Sequence, residues 1–137
     1  MTNKLLVVDD EEGIREVLEI TLTDAGYEVL TAENGFSGLD MVKTHKPDIV
    51  LTDIRMPGMD GMALLKTVKQ TYPDIEVIMI TGYGDANLAI DSLKIGAVDF
   101  ISKPVNQDVL EIALKRANDR IRTREKLADH TRNLEIL

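Results

Sequence analysis

A chain of 137 residues with 44% hydrophobic residues and a formal charge of −8 fits one domain with a proper core, and its apolar share argues against disorder over most of its length. Aromatic residues make up only 4%, which argues against a stacking surface for single-stranded nucleic acid. With no cysteine and only His45 and His130, disulfides, thiolate chemistry and a structural zinc site fall away too.

The start, Met1-Thr2-Asn3-Lys4, leads straight into a short β-branched run, Lys4–Val8, and then into acids at Asp9. It lacks the long apolar stretch and small-residue cleavage site of a secretory signal. No run approaches bilayer-spanning length, so a soluble, cytoplasmic protein without membrane contact is expected. Ile14, Val17, Leu18, Leu22 and Ala25 then recur at helical spacing, and Gly26 is placed to close that helix in a left-handed cap. Tyr27–Thr31 reads as the second strand. Phe36, Leu39, Met41 and Val42 suggest a less regular second helix, followed by a third strand at Ile49–Thr52. Met62, Leu64, Leu65 and Val68 mark a helix that ends before Tyr72-Pro73, and Ile75–Ile80 is the fourth strand. Ala86, Leu88, Ala89, Ile90 and Leu93 form a fourth helix ending near Gly96, before a last strand at Val98–Ile101. The fifth helix begins around Asn106 and carries Leu110, Leu114, Ala117 and Ile121 on one face.

Five strand–helix alternations predict an α/β fold, a doubly wound parallel sheet covered on both faces. Right-handed crossovers leave few topologies, and the flavodoxin-like (βα)5 order 2-1-3-4-5 is the expectation. The domain is placed at residues 1–121. Residues 122–137 are expected to continue the last helix as a linker or a solvated tail, since Leu127, Leu134 and Leu137 keep heptad-like spacing out of phase with Leu114 and Ile121. From Glu111 onward there are 7 Lys/Arg against 5 Asp/Glu, leaving 9 against 19 in residues 1–110. An acidic body favours cations or basic partners over a phosphate backbone.

Ligands in open parallel sheets bind beyond the carboxyl ends of the strands, where strand order reverses. There the sequence offers Asp9-Asp10-Glu11-Glu12 after the first strand, Asp53 after the third, Thr81 after the fourth and Lys103 after the fifth. Three carboxylates side by side raise one another's pKa or recruit a cation. Oxygen donors without nitrogen or sulfur suit Mg²⁺ or Mn²⁺. One of these acids could instead cap the first helix, Thr81 could cap a turn, and Asp53 alone would read as a turn residue. Taken together, a nucleophilic Asp53 with an amine and a hydroxyl beside it suits an acyl phosphate.

Four segments resemble the response-regulator receiver family of two-component signalling over roughly Lys4 to Arg120: Val7-Val8-Asp9-Asp10-Glu11, Asp48 through Gly61 with its Thr52-Asp53-Ile54-Arg55-Met56-Pro57, Ile80-Thr81-Gly82-Tyr83-Gly84, and Asp99-Phe100-Ile101-Ser102-Lys103-Pro104. The resemblance implies a phosphoacceptor domain, not an enzyme acting on separate substrates. Asp53 would take a phosphoryl group from a histidine kinase or phosphotransfer protein. Asp10 and Asp53 would ligate the metal directly, with Asp9 through water and Arg55 through its backbone carbonyl. Lys103 would bridge to the phosphoryl group, and Thr81 and Phe100 would act as the switch, Phe100 standing where many members carry tyrosine. The family also often has a cis peptide at the position of Lys103-Pro104.

The Thr81-to-Asp85 stretch is most similar to nitrogen-regulator-type receivers, whose extended last helices often pair, so a homodimer through the last helix is an expectation. No DNA-reading element is recognised. The chain could be a single-domain regulator, a receiver from a longer protein, or a receiver ahead of a kinase. A Mg²⁺-dependent aspartyl phosphatase of the haloacid-dehalogenase type would want a second Asp two residues after the nucleophile, where Arg55 stands. A nucleotide- or flavin-binding module would not meet phosphate with Asp9-Asp10. A pseudo-receiver that only binds partners would have no use for the intact set.

Overall fold

The computed structural model describes residues 3–136. It comprises β1 (Lys4–Val8), α1 (Glu12–Asp24), β2 (Glu28–Ala32), α2 (Gly35–His45), β3 (Ile49–Asp53), α3 (Gly61–Thr71), β4 (Glu76–Thr81), α4 (Ala86–Ile95), β5 (Asp99–Ser102) and α5 (Gln107–Ile136). The five strands form one parallel sheet in the expected order β2-β1-β3-β4-β5.

Strand pleating divides the core into two layers. Leu6, Val8, Val50, Val77 and Met79 face α2 and α3, where they meet Val42, Leu64, Leu65 and Val68. Their neighbours Leu5, Val7, Leu51, Ile78, Ile80 and Ile101 face the other way, onto Leu18 and Leu22 of α1 and Leu110, Ala113, Leu114 and Ala117 of α5. β1 after its first residue, β3 and β4 are buried throughout, as strands covered on both faces must be. Each wholly buried Leu or Ile contributes about 1.5–3 kcal/mol of transfer free energy.

The helix boundaries have local causes. Asn34 accepts from the Ser37 N–H at 2.9 Å and the Ser37 hydroxyl accepts from the Asn34 N–H, a capping box that starts α2. Asp60 caps α3 through the Ala63 N–H at 2.9 Å, and Asn106 receives the N–H groups of Asp108 and Val109 at the start of α5. Gly26 turns the chain out of α1 at φ +101°, as expected of it.

Several details depart from the sequence expectation. β2 to β5 run one residue further than their apolar runs, so Asp53, Thr81 and Ser102 are the last residues of the ladder, with Asp53 opposite Ile80 and Thr81 opposite Ser102. Val17 and Phe36 keep helical spacing yet lie more than half exposed, because they sit at the margin of their apolar stripes. The extended last helix, by contrast, is as expected, with α5 running as helix through Ile136; Leu137 lies outside the described residues. No described helix is long and apolar enough to cross a membrane.

Candidate functional site

Asp53 ends β3, a strand buried along its whole length. Its strand lies at the centre of the sheet, and Gly61 presses against its carbonyl so closely that a Cβ at Gly61 would collide with the Asp53 oxygen. The Gly61 N–H donates to the Ile54 carbonyl at 2.8 Å, which closes the intervening loop over the strand end. The side chain is nearly buried, and Lys103 Nζ donates to Asp53 Oδ2 at 3.0 Å. The same amine lies 3.7 Å from Asp9 Oδ2 and 3.7 Å from Glu11 Oε1. Burial pulls the Lys103 amine down, but the hydrogen bond and charge of Asp53, with Asp9 and Glu11 behind, hold it above its ordinary value. The Lys103-Pro104 peptide is cis, as the family resemblance suggested.

Asp9, Asp10 and Asp53 each offer a carboxylate oxygen, and these atoms lie within 4.8 Å of one another. Asp9 and Asp53 are buried and Asp10 is open to solvent. Asp9 does not cap α1: its Oδ1 accepts from the Glu11 N–H at 2.9 Å, while Glu11 takes the N-cap place without a side-chain bond to the helix. Asp9 Oδ2 is buried without a hydrogen-bond partner. Burial and the charges of Asp53 and Asp10 raise the Asp9 carboxyl, only partly offset by the Glu11 N–H and Lys103. A buried, partnerless oxygen facing two other acids fits a hard divalent cation, which would supply the missing charge.

Thr81 is buried at the end of β4, and its hydroxyl donates to the Ile101 carbonyl at 3.4 Å. Phe100 is half-buried against the α2–α3 side of the core. Arg55 sends its guanidinium away from the acids to Asp85, with Nε 2.6 Å from Oδ1. Asp85 also accepts from the Gly82 N–H at 2.9 Å. Burial alone would raise the Asp85 carboxyl, but these donors outweigh it and hold it below the usual carboxylate range. This pair ties the loop after Asp53 to the loop after Thr81. Sequence reasoning missed it, and also missed Arg15, whose Nη1 donates to the Asp9 carbonyl at 2.8 Å. Arg15 stands one turn into the helix after Asp9-Asp10, a signal that could have found it. Beside Lys103, an apolar groove of about 690 Å³ runs between α1 and the start of α5, lined by Ile14, Val17, Leu18, Val105 and Leu110.

Residues 5–115 match the family model of the response regulator receiver domain. The chain belongs to that family. It is 45% identical over 111 residues to the DNA-binding transcriptional regulator NtrC of Klebsiella pneumoniae, covering 81% of this chain and 24% of that protein. It is 39% identical over 116 residues to sporulation initiation phosphotransferase F of Bacillus subtilis, covering 85% of this chain and 94% of that one. Among solved structures, the receiver domain of NtrX from Brucella abortus superposes with a TM-score of 0.78 at 39% identity, over 82% of this chain and 96% of that one. The chain thus spans about a quarter of the NtrC regulators it matches, 24% of the Klebsiella protein, and nearly all of the phosphotransferase. Receiver domains are signalling phosphoacceptors, and the phosphatase and nucleotide-binding alternatives are not favoured.

Proposed function

We propose that Asp53 is the phosphoacceptor of this receiver, taking a phosphoryl group from a phosphohistidine of a histidine kinase or phosphotransfer protein in a reaction that requires Mg²⁺ or Mn²⁺. An Asp53 carboxylate oxygen attacks phosphorus, the P–N bond breaks, and the imidazole leaves with a proton, giving an acyl phosphate. Asp10 and Asp53 would hold the metal directly, Asp9 through water and Arg55 through its carbonyl. The metal, when bound, screens the carboxylates and draws charge from the phosphoryl oxygens. Lys103 already holds Asp53 Oδ2 at 3.0 Å and would keep its bond to the phosphoaspartate, now through a phosphoryl oxygen.

The observation that carries this reading is the charge balance. Three carboxylates share a site with one amine, and a buried oxygen of Asp9 has no partner. A phosphoryl group also gives Thr81 a better acceptor than the long bond to Ile101, so its hydroxyl would turn toward Asp53, and Phe100 would follow into the space released. The groove beside Lys103 offers an apolar bed for a donor helix, which would carry its histidine to the rim. The whole would work in the cytoplasm, without direct contact to nucleic acid. A homodimer through the last helices draws on Leu127 and Leu134, one heptad apart and 62% and 58% exposed.

Beryllofluoride with Mg²⁺ imitates phosphoaspartate, and it is expected to bind the wild type and not Asp53→Asn, read by the shift of amide resonances near Thr81. Equal binding to both would remove Asp53 from its role. Sedimentation with and without beryllofluoride tests the helix pairing, and a monomer in both states would defeat it.

A further inference from the structure

At the end of the sheet away from the acidic rim, β4 opens with a charge where its pleat neighbours are apolar. Glu76 shares a face with Ile78 and Ile80, which pack on the α5 side, and like them it is wholly buried. Two cations from α5 reach it. Arg124 Nη2 donates to Glu76 Oε1 at 2.6 Å, and Arg120 Nε lies 3.5 Å from Oε2. The Arg124 guanidinium also donates to the Asp74 carbonyl at 2.8 Å and approaches Asp74 Oδ1 at 3.3 Å. One side chain of the last helix therefore grips both the first residue of β4 and the turn before it. That turn is itself braced by Lys69, whose amine donates to the Pro73 and Ile75 carbonyls at 2.9 Å each.

The helical spacing shows why the grip falls where it does. The buried stripe of α5 runs through Leu110, Ala113, Leu114 and Ala117. Arg124 stands two turns beyond Ala117 on the same side. Apolar contact ends where the sheet ends, and charged contact carries the helix past that edge. Between Ala117 and Arg124, Asn118 donates to the Tyr27 hydroxyl at 2.9 Å and accepts from Asn3 at 2.5 Å, so the helix is pinned toward β2 as well.

We propose that Glu76 is a socket for the last helix, and that its grip on Arg124, seconded by Arg120 and Asp74, makes α5 through Arg124 one body with the sheet. A carboxylate so fully removed from water is costly without cations, so the folded domain holds Arg124 in place. The helix beyond, with Leu127 and Leu134, leaves the domain in a set direction instead of fraying from Ile121. Whatever that helix carries or joins inherits the orientation of β4. The inference stands apart from the phosphoacceptor reading, since none of these residues lies at the acidic rim.

Amide hydrogen exchange over residues 121–128 in the full chain tests it. Glu76→Leu adds an apolar side chain to the layer of Ile78 and Ile80, so global stability holds while exchange in that window speeds by about tenfold. Arg124→Gln gives the same local speeding and also lowers global stability, because it strands the carboxylate with only Arg120. Unchanged exchange in both variants overturns the proposal; if Glu76→Leu does not fold, Arg124→Gln decides alone. Both variants are expected to bind beryllofluoride with Mg²⁺ as the wild type does. Faster exchange accompanied by loss of that binding would point to general loosening and would equally overturn it.

Discussion

Both ends of the sheet bury a carboxylate with one oxygen that makes no hydrogen bond: Asp9 Oδ2 at the carboxyl ends of the strands and Glu76 Oε2 at the amino ends. Their surroundings differ in sign. Around Asp9 stand Asp10, Asp53 and Glu11, with the amine of Lys103 as the cation in salt-bridge range. Around Glu76 stand two guanidiniums, one at 2.6 Å and one at 3.5 Å. Burial of an acid therefore does not by itself mark a site for chemistry. The local charge sum does: the Glu76 end is closed by the chain's own cations, whereas the Asp9 end is short of positive charge and calls for an ion from outside.

The sharpest way to break this contrast is to remove the amine. Lys103→Ala leaves the Asp9 and Asp53 carboxylates facing each other with no cation among the described residues in salt-bridge range. The metal-free protein is expected to lose about 2 kcal/mol in urea unfolding, less than a fully buried pair because the lysine is partly solvated. Saturating Mg²⁺ should restore most of that loss, while the variant responds poorly to phosphorylation. A loss that Mg²⁺ does not touch would mean that Lys103 stabilises by packing and not by charge.

Next in size, and opposite in sign, is Asp9→Asn. Removing one of the crowded charges is expected to stabilise the metal-free protein by about 1 kcal/mol and to weaken Mg²⁺ binding by about tenfold or more, read by calorimetry. Glu76→Gln is the matched control at the other end, where the charges already balance, so it should destabilise. If Asp9→Asn destabilises as well, the two ends do not differ in the way described.

These contrasts bear on what could be read from the chain before its fold was known. The strand order and the meeting of Asp9, Asp10, Asp53 and Lys103 were legible because each residue terminates an apolar strand, and a parallel sheet brings those ends together. The Arg55–Asp85 pair was not legible. Its partners are 30 residues apart on two loops, and no periodicity links loops. The Glu76 socket was hidden for a different reason. A glutamate at a strand start reads as solvated, and Arg124 falls where the apolar pattern of the last helix fades, so only the register of α5 on the sheet joins them. Val17 and Phe36 show the same limit from the apolar side, since helical spacing gives a stripe's direction but not how far the sheet covers it.

The smallest expected effect is a slope with pH. The folded chain raises the Asp9 carboxyl, so just above the ordinary carboxylate range it still holds a proton that the unfolded chain has released. More protons bound in the folded state mean that the Asp9 contribution to stability falls as pH rises through that window. Asp85 works the other way: its carboxyl is lowered, so its contribution is lost as pH falls below the ordinary range. Unfolding of metal-free protein across mildly acidic pH should therefore lose the Asp9 slope in Asp9→Asn and keep the Asp85 slope at lower pH. With Mg²⁺ present the first slope should reverse, because the ion binds the deprotonated acids and its grip tightens as pH rises. A wild-type profile indifferent to Mg²⁺ would mean that the Asp9 end does not take up the cation its charge imbalance calls for.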